Sequence, residues 1–173
     1  HAFDFVLMQE YLASSLQGPE AFEVLVLGTP QGWERFGRGA REALLARVKE
    51  KGEGLVLVCP FPGAKGNVWP DDLKELSALI DADSDYPDPT SGYIRAGKEI
   101  SRDKAWRLAG DHPITAGVPL EAIPSKATAL TVYKAAPGAQ VLIEDEAGNP
   151  VVAVKQCGKG RVATFAWRGE GLT

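Results

Sequence analysis

The stretch FEVLVL (residues 22–27) is almost wholly apolar and is closed by Gly28 and Pro30. A short run without polar alternation, ended by turn residues, is the pattern of a strand covered on both faces, as in parallel sheets. In GAREALLARVKEKG (39–52), apolar Ala40, Leu44, Leu45 and Val48 recur at helical spacing with charges opposite. Gly52 stands just past the last turn, so the segment predicts a helix with a glycine stop. GLVLVC (54–59) repeats the buried-strand pattern. Residues 23–59 therefore predict strand, helix, strand: a right-handed crossover unit of a parallel sheet. PDDLKELSALI (70–80) predicts the next helix, opened by Pro70 and Asp71 and turning Leu73, Leu76, Leu79 and Ile80 inward. Upstream, AFDFVLMQEYLASSL (2–16) is apolar at too many positions for a surface helix and predicts either a well-covered helix, the favoured reading, or a strand passing into one.

Prolines at 87, 89, 113, 119 and 124 interrupt residues 81–127, which predicts loops and short pieces there. Beyond them the texture becomes β: ATALTVYKA (127–135), then AQVLIEDEAGNPVVAVKQCGKGRVATFAW (139–167). Gly148-Asn149-Pro150 and Gly158-Lys159-Gly160 mark two reversals between short strands, the punctuation of an antiparallel meander. No internal repeat or low-complexity tract breaks the chain, and residues 1–173 read as a single α/β domain.

Composition narrows the functional classes. A hydrophobic content of 45% in 173 residues is enough for an ordinary core. Nineteen basic against 23 acidic residues give a net charge of −4, which offers no electrostatic footprint for nucleic acid. No apolar run approaches the ~20 residues of a membrane span, so no membrane partner is expected. The start on His1, without Met or a leader-like basic region, and the stop just after a glycine-rich turn suggest a piece of a longer protein. Compartment is not encoded in any motif. Cys59 and Cys157 are far apart and only His1 and His112 are present, so a four-ligand zinc site would need all four residues. Zinc is discounted, no cofactor is expected, and a Cys59–Cys157 disulfide has no support beyond the count.

Four stretches carry a resemblance: FEVLVLGTP, ALLARVKEKGEGLVLV, DHPITAGVP and NPVVAVKQCGKGRVATFAW, together running from about residue 22 to 167. On them the chain resembles the class I glutamine amidotransferase-like superfamily, closest to its trehalose-utilisation (ThuA-like) branch and the trimerisation domain of some β-galactosidases. The resemblance implies a three-layer, flavodoxin-like domain: a mainly parallel sheet with helices on both faces, followed by the C-terminal β-meander. Catalytic members carry a nucleophilic cysteine on a G-x-C-x-G elbow and a histidine with an acidic partner late in the chain. Here Cys59 is flanked by Val58 and Pro60, not by glycines, and no histidine follows His112. Pro60 also removes the backbone N–H that follows the thiol, a group suited to stabilising an oxyanion.

Candidate chemistry is therefore weighed against plainer roles. Cys59 and His112 are the candidate catalytic pair, since neighbours in space need not be neighbours in sequence. The simpler reading of DHPIT is a turn in which Asp111 or His112 bonds backbone while Pro113 fixes direction. Trp33 and Trp69 follow two predicted strands at their carboxyl ends, where open α/β sheets place ligand crevices, and are the candidate ligand-binding residues, with a carbohydrate in view. Asp81, Asp83 and Asp85 imitate the opening of a calcium loop, but Tyr86 stands where the sharp-turn glycine belongs and Gly92 where the closing Glu belongs. They read as a solvated acidic loop. CGKGR (157–161) precedes a strand, not the helix that a phosphate cradle requires, so it reads as a hairpin whose Lys159 and Arg161 either point into a shared cleft or, as is usual for a charged tip, are simply solvated.

The balance favours a non-catalytic, degenerate amidotransferase-like domain, a ligand-binding or assembly module of a larger and carbohydrate-related bacterial protein. Its expected partners are other domains of that protein or further copies of itself. The alternative is a cysteine-dependent amide hydrolase or glutamine amidotransferase using Cys59 and His112. A protein-interaction domain without a small ligand is the third reading.

Overall fold

The computed structural model describes residues 23–27, 37–58, 71–81, 106–120, 129–130 and 133–168. Strand β1 (Val24–Leu27) leads to helix α1 (Arg38–Ala46), whose final stretch Arg47–Lys51 widens into a π turn. Gly52 closes that turn at φ +89°, its N–H donating to the Arg47 carbonyl at 3.1 Å. Without a Cβ it enters the left-handed region at little cost, so the predicted glycine stop holds. Ala40, Leu44 and Val48 are buried, as their spacing requires. Strand β2 (Gly54–Val58) then pairs with β1 in parallel, Val24 opposite Gly54 and Val26 opposite Val56.

The next predicted helix is shorter than its apolar spacing suggests. Helix α2 (Asp71–Leu76) stops at Ser77, and Leu79–Asp81 forms strand β3, antiparallel to β6 (Tyr133–Ala135). The reason is tertiary. The Ser77 hydroxyl donates to the Leu79 carbonyl and accepts the Leu79 N–H, while the Ala78 N–H donates to Thr164 Oγ1 at 2.9 Å. These bonds take backbone and side-chain groups that a continuing helix would need, and a competing hydroxyl favours such a break. Strands β4 (Trp106–Leu108), β5 (Ala129–Leu130), β7 (Ala139–Asp145), β8 (Pro150–Cys157), β9 (Gly160–Phe165) and β10 (Trp167–Arg168) complete the described elements.

Six of these strands form one sheet in the order β1-β2-β9-β8-β7-β4. The β1–β2 and β2–β9 pairs are parallel; β9–β8, β8–β7 and β7–β4 are antiparallel. The sheet is thus mixed, and the expectation of a mainly parallel one is corrected. Two-residue and four-residue links such as 158–159 and 146–149 are too short for a parallel crossover, so each adds an antiparallel neighbour. Instead of standing apart, the meander contributes β9 directly beside β2.

Both predicted reversals are present. At the first, the buried Asp145 carboxylate accepts the Ala147 and Asn149 N–H groups and the Asn149 side-chain amide, at 2.8–2.9 Å. At the second, the hairpin backbone lies against the end of the α1 turn, with the Lys159 N–H donating to the Lys49 carbonyl at 2.8 Å. A Cβ on Gly160 would fall 2.4 Å from the Val48 carbonyl oxygen and 2.5 Å from that of Glu53. Only glycine fits that contact.

The main core joins α1 and α2 to one sheet face through Leu44, Val48, Leu55, Leu57, Leu76 and Val162. A second cluster, centred on Leu142, Ile143, Val151 and Val152, packs with Trp106 and Leu120. Arg47, 1% exposed, reaches back within its own turn to grip the buried Glu53 carboxylate with Nη1 at 2.8 and 3.1 Å. Both described helices lie on the same face; among the described residues none covers the other, so the flavodoxin-like three-layer arrangement is not reproduced by them. The segment 2–16, read as a helix from its sequence, lies outside the described residues.

Candidate functional site

Strand alternation sends Leu55, Leu57 and Val162 towards the helices and Val56, Ala163 and Val154 to the opposite face. Cross-strand pairing aligns the latter into one row: Val26, Val56, Ala163, Val154, Gln140. A second row, one step along, runs from Val24 past Gly54 to Arg161 and Gln156. Gly54 lets Val24 and the Glu23 carbonyl close in, because an added Cβ would stand 3.1 Å from Val24 Cγ2 and 3.2 Å from the Glu23 carbonyl oxygen. The segment His112–Ile114 forms one wall. The result is a groove of about 650 Å³ with an aliphatic floor and a polar margin, within the usual ~300–1,000 Å³ range of ligand sites.

The margin is made of donors. His112 Nδ1 accepts the Ile114 N–H at 3.1 Å, which places the neutral ring's proton on Nε2. The His112 carbonyl also accepts the Thr115 and Ala116 N–H groups and the Thr115 hydroxyl. This is the backbone-bonded turn expected of DHPIT. Arg161 lines the groove without an ion pair or hydrogen bond among the described residues. Gln156 donates its side-chain amide to the Gly158 carbonyl at 2.9 Å. Lys155 contributes to the wall, but its Nζ crosses to the helical side and bonds the Glu75 carbonyl at 2.7 Å. No carboxylate lines the groove among the described residues.

Of the residues singled out from sequence, His112 is placed as described, whereas Cys59, Trp33, Trp69, Asp83 and Asp85 lie outside the described residues. Asp81 is described only as the backbone end of β3. Among the described residues no three His, Cys, Asp or Glu side chains gather as metal ligands do. Cys157 carries a free thiol, 5% exposed, whose Sγ–H points at the Leu76 carbonyl at 3.6 Å. Burial pushes that thiol's pKa up, with Lys155 and Lys49 pulling the other way and Glu75 adding to the rise. CGKGR forms the β8–β9 hairpin, and Arg161 is exposed beside it, as a solvated tip residue should be, while also lining the groove. The signal for its place in the groove was alternation: it shares a strand face with Ala163, one apolar step further in.

No family model and no curated protein matches the chain in sequence. Solved structures do match in fold. A cytoplasmic protein from Salmonella typhimurium LT2 superposes with a TM-score of 0.57 at 17% identity, over 89% of this chain and 67% of its own. A GH42 beta-galactosidase from G. stearothermophilus gives a TM-score of 0.50 at 16% identity, over 85% of this chain and 19% of its own. The cold-adapted beta-galactosidase from Rahnella sp. R3 gives 0.52 at 18%, over 85% and 20%. The chain therefore shares a fold with about a fifth of each galactosidase. None of these neighbours is described as an amidotransferase or a ThuA-like protein.

Proposed function

We propose that this domain is a non-catalytic module of a larger carbohydrate-related protein, serving assembly or ligand binding in an amidotransferase-like fold that has lost its chemistry. The observation that carries the reading is the fold likeness to one-fifth segments of two beta-galactosidases. A domain that forms a minor part of a glycosidase chain has its natural role in organising that chain or its copies. Two features support the loss of chemistry. Pro60 offers no amide beside Cys59, and the His112 ring is engaged by its own turn through Nδ1. An imidazole held this way presents Nε2–H, a donor, where activating a thiol needs an acceptor.

The test pairs turnover with assembly. Glutaminase and esterase activity are expected to be at background in the wild type and unchanged in Cys59→Ser. Sedimentation velocity is expected to reveal self-association or stable binding to the remaining domains of the parent protein. Turnover that disappears in Cys59→Ser would replace this reading with a cysteine hydrolase.

A further inference from the structure

We infer that the groove on the sheet face opposite α1 and α2 is a binding site for an amphipathic organic acid, one carboxylate on an aliphatic body. This deepens the ligand-binding half of the module reading, and its test is independent of turnover and of assembly through any other surface. Val24 and Val26 are 56% and 62% exposed on this face and Ile114 is 56% exposed on the wall, so large aliphatic side chains crowd one open surface. Apolar surface concentrated in this way marks a contact site. Alone it would accept any apolar body.

Charge selects the occupant. The Arg161 guanidinium lies at the margin with its donors unused by the described residues, beside the amide of Gln156. His112 adds its imidazole to the lining. With no carboxylate in the lining among the described residues, an acid's head group meets their donors without a competing anion, and guanidinium binds carboxylate through paired charge-assisted hydrogen bonds. An ammonium head would meet the same cation and be repelled. The aliphatic tail lies along Val56, Ala163 and Val154, whose side chains line the groove floor.

Octanoate, octylammonium and 1-octanol are matched probes that differ in head charge. Titrated into the ¹⁵N-labelled protein, octanoate is expected to bind saturably with a Kd on the order of 1 mM. It should shift the amides of Val56, Ala163, Val154 and Gln140. Octylammonium should bind at least tenfold more weakly, with octanol between them. Arg161→Gln is expected to weaken octanoate about tenfold while leaving octanol unchanged. Gln140→Glu, at an exposed position across the groove, should act in the same direction by charge repulsion. The proposal is overturned by equal affinity for octanoate and octylammonium, by shifts confined to other surfaces, or by no saturation. Concentration-dependent self-association that perturbs the same amides would overturn it too, because the occupant would then be a second copy of this chain.

Discussion

Replacing Thr164 by valine keeps the side chain's shape and removes one oxygen, which isolates the bonds that end α2. Thr164 is fully buried, its Oγ1 accepts the Ala78 N–H at 2.9 Å, and Ser77 Oγ lies 3.3 Å away. Ser77 spends its own proton on the Leu79 carbonyl, so Thr164 is the donor in the hydroxyl pair. Valine therefore leaves the buried Ala78 N–H without its acceptor and Ser77 Oγ with the Leu79 N–H as its remaining donor. An orphaned buried group costs about 1–3 kcal/mol, partly offset by the added methyl, which puts the net near 2 kcal/mol. For a chain of this size each kcal/mol lowers Tm by about 2–4 °C, so Thr164→Val should lose about 4–8 °C. Thr164→Ser keeps the hydroxyl and loses a methyl, about 1 kcal/mol. Urea unfolding followed by tryptophan fluorescence should rank wild type above Thr164→Ser and Thr164→Ser above Thr164→Val, with m unchanged. In a double-mutant cycle with Ser77→Ala, coupling of about 0.5–3 kcal/mol is expected. If Thr164→Val matches the wild type while Thr164→Ser is the weaker of the two, methyl burial and not the hydroxyl network holds this junction, and the reasoning fails.

Two further outcomes are expected. Gly160→Ala drives a Cβ into the carbonyls of Val48 and Glu53, both backbone, and should cost about 2–3 kcal/mol. Gly138→Ala, with open space but φ +76°, should cost nearer 1 kcal/mol; thermal melts of the two variants check the order. Cys157 should resist iodoacetamide in the native state until the pH passes well above the ordinary thiol range, with peptide mapping separating it from Cys59. Because its folded pKa is raised, mainly by burial, its contribution to stability is present below the unfolded value of about 8.5 and is lost as pH rises through the folded one. Wild type should therefore lose more stability than Cys157→Ala between neutral and strongly alkaline pH. Equal loss in the two proteins would count against this.

Local chemistry made much of the fold legible. The stripe Ala40-Leu44-Val48 and the stop at Gly52 specify α1 without help from elsewhere, and the reversals at Gly148 and Gly158 announce themselves by residue type. What stayed hidden depends on partners distant in sequence. Leu76, Leu79 and Ile80 satisfy helical spacing, yet Leu79 and Ile80 enter a strand because β6, more than fifty residues later, supplies the pairing. The insertion of β9 between β2 and β8 is equally nonlocal, and it alone converts a crossover unit plus a meander into one mixed sheet. The groove was hidden for the same reason. Val56, Ala163, Val154 and Gln140 come from four strands, and only the register puts them in line.

The position of β9 also governs the order of events as the polypeptide emerges from a ribosome. Strand β2 emerges before its inner neighbour, which is encoded about a hundred residues downstream, and at typical synthesis rates that is a delay of roughly 5–20 s. Throughout it the nascent GLVLV ribbon has one side unclaimed, open to a chaperone or to a neighbouring nascent chain. The hairpins of the last third meet no such delay, so they form soon after they emerge and complete the earlier half by docking against it.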